Sequence, residues 1–385
     1  MTAKEFWKHA LIGSRWLVKH QNPDGSWIGL DDPKVDAYYK ASWALMATGQ
    51  PAAAHRALNY AQQHFLTADG DFLPRGHPWL TEVHHLYPNA YFIIGSMIAG
   101  RYGIAMPGIR FLLSNQNPDH GGFYSRRTDP GQRNLSDTMS AGAAGLACLA
   151  AGEINAARRV ADYLAHIVDL QPAPDDRFFT TIEADGRLRT DVKDDAESFL
   201  RIIDVRKENQ CWYAVGLPFA YLSRLAEATC EARYRELAQW YFDFQLRCVD
   251  PWDGSSSGKA GWGCAMLYRI TGEERYRDIA LHIAHKIISR QNPDGGWGSF
   301  RKGLGRAGQP ALTSQDVDLT AEFTLWLSLI STNVLARDSC RISEVYVNNW
   351  SYLLFKSGHW LQRLKSYFLH KPRRWLRRLK PYLPL

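Results

Sequence analysis

One phrase recurs at three distant places in the chain: HQNPDGSWIGL from His20, NQNPDHGGFYS from Asn115 and RQNPDGGWGSF from Arg290. Proline after asparagine stops a helix, and Asp-Gly or His-Gly-Gly makes the turn. The aromatic residue that follows then folds back as a plug. Each phrase ends an amphipathic stretch, WKHALIGSRWLVKH, IRFLLSN or YRDIALHIAHKIIS, with apolar residues three and four apart. After each comes a variable loop and a second helix rich in small and apolar residues: KVDAYYKASWALMATG, LSDTMSAGAAGLACLAAG and DVDLTAEFTLWLSLI. Between the copies lie three helix pairs without the turn, with inner members TEVHHLYPNAYFIIGSMIAG, ENQCWYAVGLPFAYLSRLAEAT and SSGKAGWGCAMLYRITG. Repeats of this size decide the architecture. Amphipathic helices alternating with nearly all-round apolar ones predict an outer and an inner ring. The expected fold is all-α, an α/α toroid of six helical hairpins over residues 1–340, with a basic helical tail over 341–385.

Composition fits a large core. Of 385 residues, 45% are hydrophobic, and 14 are tryptophan. No run of eighteen apolar residues suggests a membrane span, and the N-terminal stretch lacks the pattern of a secretory signal. The six cysteines are scattered without finger spacing and read as free thiols of a reducing compartment, so a cytoplasmic location is expected. The net charge of +7 is unevenly spread: residues 351–385 hold nine Lys and Arg and no acid, leaving the body at −2. A mildly acidic body offers no phosphate-tracking face, so nucleic acid is not an expected partner.

The spacing of glutamine, glycine and aromatic residue (Gln21, Gly25, Trp27; Gln116, Gly121, Phe123; Gln291, Gly295, Trp297) resembles the QW repeat of the terpenoid cyclase and protein prenyltransferase superfamily. The resemblance covers roughly residues 4–335 and implies the toroid. Its structural reading is that Gln caps helix ends and Trp packs between hairpins. The segment SQDVDLTAEF, Ser314 to Phe323, resembles the Asp-x-Asp-Asp-Thr-Ala motif of squalene-hopene-like class II cyclases. On that resemblance Asp316 matches the first position, Asp318 the general acid that protonates an alkene, and Thr320 and Ala321 the ending. Leu319 departs from the pattern, which has Asp there. An acid of that kind needs a buried carboxyl beside other carboxylates. The plainer reading is that Asp316 or Asp318 caps the helix, as Asp36 and Asp137 would in the other copies. The prenyltransferase branch has a zinc site that resembles Asp-x-Cys with a later His on an inner helix; here Asp318 stands at the Cys place and no His follows on that helix, so zinc chemistry is not expected, and no metal or cofactor motif stands out.

Glu82, His84, His85, Tyr87 and Asn89 cluster near the start of the fourth helix, which Pro88 is expected to interrupt. Adjacent histidines cannot share a helix face, so one would point inward and one away. Tyr38, Tyr39, Tyr87, Trp212, Tyr213, Trp262 and Trp326 are expected lining residues, whose faces could stabilise cations, stack on sugars or fill a core. The long insertion from Gln171 to Asn209 predicts a β-hairpin at RFFTTIEADGRLRT with an Asp-Gly turn, followed by an acidic stretch with Asp191, Asp194, Asp195 and Glu197. It is either a lid or an exposed loop. Three functions stay open: a cyclase or isomerase of an apolar polyene, with Asp318 as acid; a carbohydrate-active toroid hydrolase, lyase or epimerase, with Glu82, His84, His85 and the 191–197 carboxylates as candidates; and a binding scaffold. An apolar cavity would favour the first, a polar open one the second, a filled one the third.

In the tail, Trp360, Leu361, Leu364, Tyr367, Phe368, Trp375, Leu376 and Leu379 recur at helical spacing among basic residues, with Pro372 expected to divide two short helices. Two partners fit, an anionic membrane surface and a protein face, and the first would place the chain at the inner face of a membrane, near a lipid-like substrate. Removing Lys371–Leu385 should abolish sedimentation with anionic vesicles at low salt, while the wild type loses it only as salt rises. Unchanged vesicle binding by the truncated chain would exclude the membrane role.

Overall fold

The computed structural model describes residues 2–30, 33–127, 132–192, 195–298 and 312–356, with side chains described as far as Ser339. The chain forms two compact units, Met1–Leu335 and Ala336–Leu385. In chain order the helices of the first unit are α1 (Ala3–Lys19), α2 (Ala41–Ala47), α3 (Pro51–His64), α4 (Pro78–Glu82), α5 (Leu86–Ile98), α6 (Tyr102–Ser114), α7 (Thr138–Ala151), α8 (Ile154–Asp169), α9 (Asp195–Arg201), α10 (Tyr213–Thr229), α11 (Ala232–Leu246), α12 (Gly258–Thr271) and α13 (Glu274–Ile288). The last helix, α14 (Ser314–Lys356), begins in this unit and runs on into the second. The tail residues from 357 onward, with Trp360 and Pro372, lie outside the described residues.

The first unit is an α/α toroid. Helices α2, α5, α7, α10 and α12 pack in sequence as the inner ring. The sixth inner member is α14, whose Trp326 stacks on Trp262 of α12 with ring centroids 5.9 Å apart. Helices α1, α3, α6, α8, α11 and α13 form the outer ring, and it closes where α1 meets α13. The sequence pattern explains the division. In α7, TMSAGAAGLACLAA, the first eleven residues are all buried, whereas α8 buries one stripe, from Ala157 to Ile167. Small residues let the inner helices approach: a Cβ on Gly145 would meet Tyr221 at 2.5 Å, and one on Gly263 would meet Phe219 at 2.2 Å. By length and composition the start of α14 could cross a membrane, but most of that stretch is buried in the toroid, so it is a core helix.

The repeated phrase acts as a clamp between neighbouring hairpins. Gln21 donates to the Ala53 carbonyl at the start of α3, Gln116 to Ala156 in α8, and Gln291 to His9 in α1. The glutamines therefore tie each turn to the next outer helix instead of capping their own. Glycine is needed in the turn: Gly25 has φ +95°, and its missing Cβ would lie 2.1 Å from the Arg56 carbonyl oxygen. A fourth turn of this shape is hidden at LTADGDF. Thr67 N donates to Asp71 O and Gly70 N to Thr67 O, matching Asn22–Ser26 and Gly25–Asn22. Gly70 (φ +95°) again abuts a backbone carbonyl, that of Pro107. The aromatic plugs Trp27, Phe123 and Trp297 are buried, as the repeats predicted.

Three local expectations are corrected. Helix α5 starts only at Leu86, so His84 and His85 lie in the turn before it, and Pro88 sits in its first turn, where no donor is required. The helix expected over residues 34–49 is a single 3₁₀ turn at Val35–Ala37 followed by the short α2. The Asp185–Gly186 turn does form, closed by an Ile182–Leu188 bridge. Its strands pair elsewhere, however: β1 (Ser136–Asp137) with β3 (Thr181–Ile182), and β2 (Arg177–Phe179) with β4 (Ile202–Asp204).

Long loops lead into the inner helices at one end of the toroid, and short turns leave them at the other. Trp297 ties the last clamp to the ring: its indole donates to Ile287 O at 2.8 Å, and its backbone bonds Thr320 Oγ1 in both directions. Trp297→Ala should lower the unfolding free energy by about 3–5 kcal/mol, as for other buried Trp truncations. Urea denaturation would read this as a large fall in midpoint.

Candidate functional site

Lys40, in the turn just before α2, and Lys259, in the first turn of α12, are both buried. A buried ammonium needs a counter-charge. Both find it on α14. Lys40 Nζ lies 3.0 Å from either Asp318 carboxylate oxygen, donating to Oδ2, and 2.5 Å from Glu322 Oε2. Lys259 Nζ donates to Glu322 Oε1 at 2.8 Å, and the Trp326 indole donates to the same oxygen at 3.0 Å. Asp318 and Glu322, one helical turn apart, thus face two lysines from the loop end of the ring.

The two acids differ. Burial opposes ionisation of Glu322, but Lys259 and Lys40 overcome it and hold the carboxyl well below its usual range. Asp318 has Lys40 alone at contact distance. Burial, helped by the neighbouring Glu322 charge, outweighs Lys40 and pushes it up to about 6. Asp318 is also the most accessible member, its side chain 23% exposed against 3% for Lys40. Burial and Lys40 push Lys259 down, with Glu322 opposing. Lys40 is raised instead, because Asp318 and Glu322 together outweigh its burial.

Aromatic rings surround this cluster. Lys259 Nζ lies 5.4 Å from the Tyr87 and Trp326 ring centres and 5.7 Å from Tyr213; Lys40 lies 4.8 Å from Tyr39. Burial pushes the phenols of Tyr39, Tyr87 and Tyr91 far above their usual range, so they stay protonated. Below, Trp43, Tyr91, Trp262 and Trp326 meet edge-on or stacked and form a floor.

On the opposite wall, His84 packs against Trp79 and Tyr213, with ring centres 5.4 and 5.8 Å away. Its Nδ1 stands 3.5 Å from Asp137 Oδ1, and neither ring nitrogen makes a hydrogen bond among the described residues. Asp137 is rigidly held: it caps α7 through Ser140 N at 2.8 Å and accepts from the Ser125 and Ser140 hydroxyls at 2.6 and 2.7 Å. Burial opposes its charge, but His84 and these donors hold it down at about 2.

Asp318, His84, Tyr39, Tyr87, Asp137, Tyr213, Trp262 and Trp326 therefore belong to one connected cluster, joined through Lys40, Lys259 and the Tyr213 ring. Other expected site residues do not join it. Asp316 forms a capping box with Thr313, accepting from its N–H and hydroxyl at 3.0 and 2.8 Å. Thr320 locks Trp297. Tyr38 stacks on Tyr60 behind the wall, and Trp212 is a core residue. Asp36 holds Gly76 N and His77 N. The Glu82 side chain is exposed. His85 points away, as expected for one of two adjacent histidines, and bonds Asp71 at 2.9 Å within a buried Arg75–Asn89 network. Glu197 pairs with Arg189 and Arg201 in the insertion, and Asp191 is exposed. Asp194 and the Asp195 side chain lie outside the described residues. Sequence reasoning missed Lys40, Lys259, Glu322 and Trp79. A lone lysine early in the apolar helix GKAGWGCAMLYRIT, and a glutamate four residues after Asp318, were the available signals.

No protein-family model and no curated protein matches the chain. Its structure resembles a D-mannose isomerase (TM-score 0.59, 15% identity, covering 84% of this chain and 97% of that one). It is also similar to a family 76 glycoside hydrolase, an α-mannanase from Bacteroides thetaiotaomicron (TM-score 0.57, 14% identity, 89% and 98% covered). A third likeness is to a type II terpene cyclase from Scytonema in complex with geranylgeranyl dihydroxybenzoate (TM-score 0.54, 11% identity, 86% and 98% covered). These likenesses establish the shared α/α toroid.

The asymmetry of the acids has a measurable consequence. Because the folded-state pKa of Asp318 is raised, its protonation favours the folded state below the unfolded value near 4, and that contribution disappears as pH rises through about 6. Asp318→Asn should therefore gain stability relative to wild type between pH 4 and 7, read from urea midpoints. Glu322→Gln leaves buried Lys259 without its carboxylate partner and Lys40 with Asp318 alone, and should lose about 3–5 kcal/mol near neutral pH.

Proposed function

We propose that the chain is a toroid enzyme that moves protons on a polar, carbohydrate-like substrate at the long-loop end, as an isomerase or epimerase does. The observation that carries this reading is the cluster itself, in which the Asp318–Lys40 pair and the His84–Asp137 pair are joined through Glu322, Lys259 and the Tyr213 ring beside a layer of tryptophans. Glu322 is committed to ion pairs, so Asp318 and Glu322 are unsuited to the exchange of acid and base roles that paired-carboxylate glycoside hydrolysis requires. Asp318, with a pKa close to neutrality, can both accept and return a proton. His84, oriented by Asp137, is the second carrier. When one removes a proton from carbon beside a carbonyl, the other delivers a proton to the carbonyl oxygen, and the enediol collapses by the reverse steps. Negative charge developing on oxygen is met by the Lys40 and Lys259 ammonium groups. Trp79, Tyr87 and Tyr213 offer flat faces for the apolar side of a sugar ring.

The polyene-cyclisation reading is kept as the second. It is favoured by the likeness of Asp-Val-Asp-Leu-Thr-Ala to the cyclase motif and by the raised pKa of Asp318. Against it, an alkene placed against this cluster would gain no binding energy from its ammonium and carboxylate groups.

Incubating the protein with a panel of aldoses and ketoses in D₂O and following exchange and product by NMR tests the proposal. Turnover with deuterium incorporated beside the carbonyl is expected. Asp318→Asn and His84→Gln should each lower it about 10²–10⁴-fold, with the fold intact by circular dichroism. Cyclisation of a polyprenyl substrate and inertness toward every sugar would reverse the ranking of the two readings.

A further inference from the structure

The toroid has a cavity at the end opposite the ion cluster. Its volume is about 470 Å³, and all six inner helices line it, with Trp43, Ile94, Met97, Leu146, Leu149 and Met266 among the lining residues. The volume falls within the usual range for small-ligand sites. Trp43 and Trp262 form part of its wall and also part of the aromatic layer that meets the ion cluster through Trp326. Ile98, on the same wall, is 48% exposed, so apolar surface continues from the cavity to its opening.

The rim is cationic. Arg224 and Arg269 are the charged residues lining the cavity, and both pair with the single Glu227. Arg269 is further aligned by Asn333, whose Oδ1 accepts from Nη1 at 3.0 Å, while Asn333 Nδ2 is anchored on Leu329 O. Among the described residues lining the cavity, two guanidinium groups share one carboxylate, which leaves one positive charge at the rim. An arginine fixed in place loses little entropy when it binds an anion.

We propose that this cavity binds a single acyl chain carrying an anionic head, with the chain among the inner-helix side chains and the carboxylate at Arg224 and Arg269. The apolar wall supplies affinity in proportion to buried area, and the residual rim charge selects the head group. This site is independent of the proton-transfer reading of the ion cluster.

Calorimetric titration of the full chain with laurate, below its micelle-forming concentration, tests the proposal. One saturable site is expected. Ala228→Trp or Thr332→Trp, both at exposed rim positions, should fill the opening and weaken laurate at least tenfold, and having two such variants guards against one failing to fold. Arg269→Gln should weaken laurate about tenfold and leave dodecanol unchanged. Absence of saturable laurate binding overturns the proposal. So does equal binding by wild type and the filled variants, equal affinity for laurate and dodecyltrimethylammonium, or capture of phosphatidylglycerol vesicles in place of the monomer.

Discussion

Glu322 is the residue on which both the ring and the ion cluster depend. Its carboxylate takes Lys40 from the turn before the first inner helix, Lys259 from the fifth, and the Trp326 indole from its own helix. One buried anion thus joins the two ends of the inner ring. Such an arrangement is costly unless every charge is paired. Here the pairing is nearly complete: two ammonium groups meet two carboxylates, with Asp318 the least tightly held. The two neighbouring acids on one helix face differ in charge state: Glu322 is held as an ion, whereas Asp318 is pushed up toward neutral pH.

The fold was legible because the repeat encodes contacts between hairpins as well as turns. Gln21, Gln116 and Gln291 each reach a backbone carbonyl of the next outer helix, so three copies spaced around the chain already imply a closed ring. The fourth clamp, at Thr67–Asp71, was invisible because the geometry needs only a polar residue, a glycine with positive φ and an aromatic residue. Thr67, Gly70 and Phe72 supply these without the glutamine, asparagine or proline that makes the phrase recognisable.

The site was only half legible. Asp318 was singled out by a motif resemblance and His84 by the polarity around it, and both lie in the cluster. The plainer reading also held for Asp316, which is a cap. Lys40 and Lys259 were missed for a physical reason. Lysine is so rarely buried that a sequence window containing one reads as surface, and only the paired acid on a distant helix reveals otherwise. Lys40 and Glu322 are 282 positions apart, a separation that no local pattern spans. Tyr38 and Tyr39 illustrate the same limit. Adjacent in sequence and equally buried, they face opposite sides of the inner wall: one stacks on Tyr60 and the other joins the cluster.

The aromatic floor decides how the two ends of the toroid relate. Trp262 stacks on Trp326, which is hydrogen-bonded to Glu322, and meets Trp43 edge-on with centres 5.8 Å apart. The same Trp43 and Trp262 line the cavity beyond. A layer of indoles serves both sides: it gives the ion cluster a polarisable, water-excluding base, and it gives the far cavity an apolar roof. Removing it would open the ion cluster toward the apolar cavity, so water would reach the buried charges and screen them. A toroid that keeps this layer intact therefore holds two separate environments in one ring. The long loops serve the polar one, and the short turns leave the apolar one open at the opposite end.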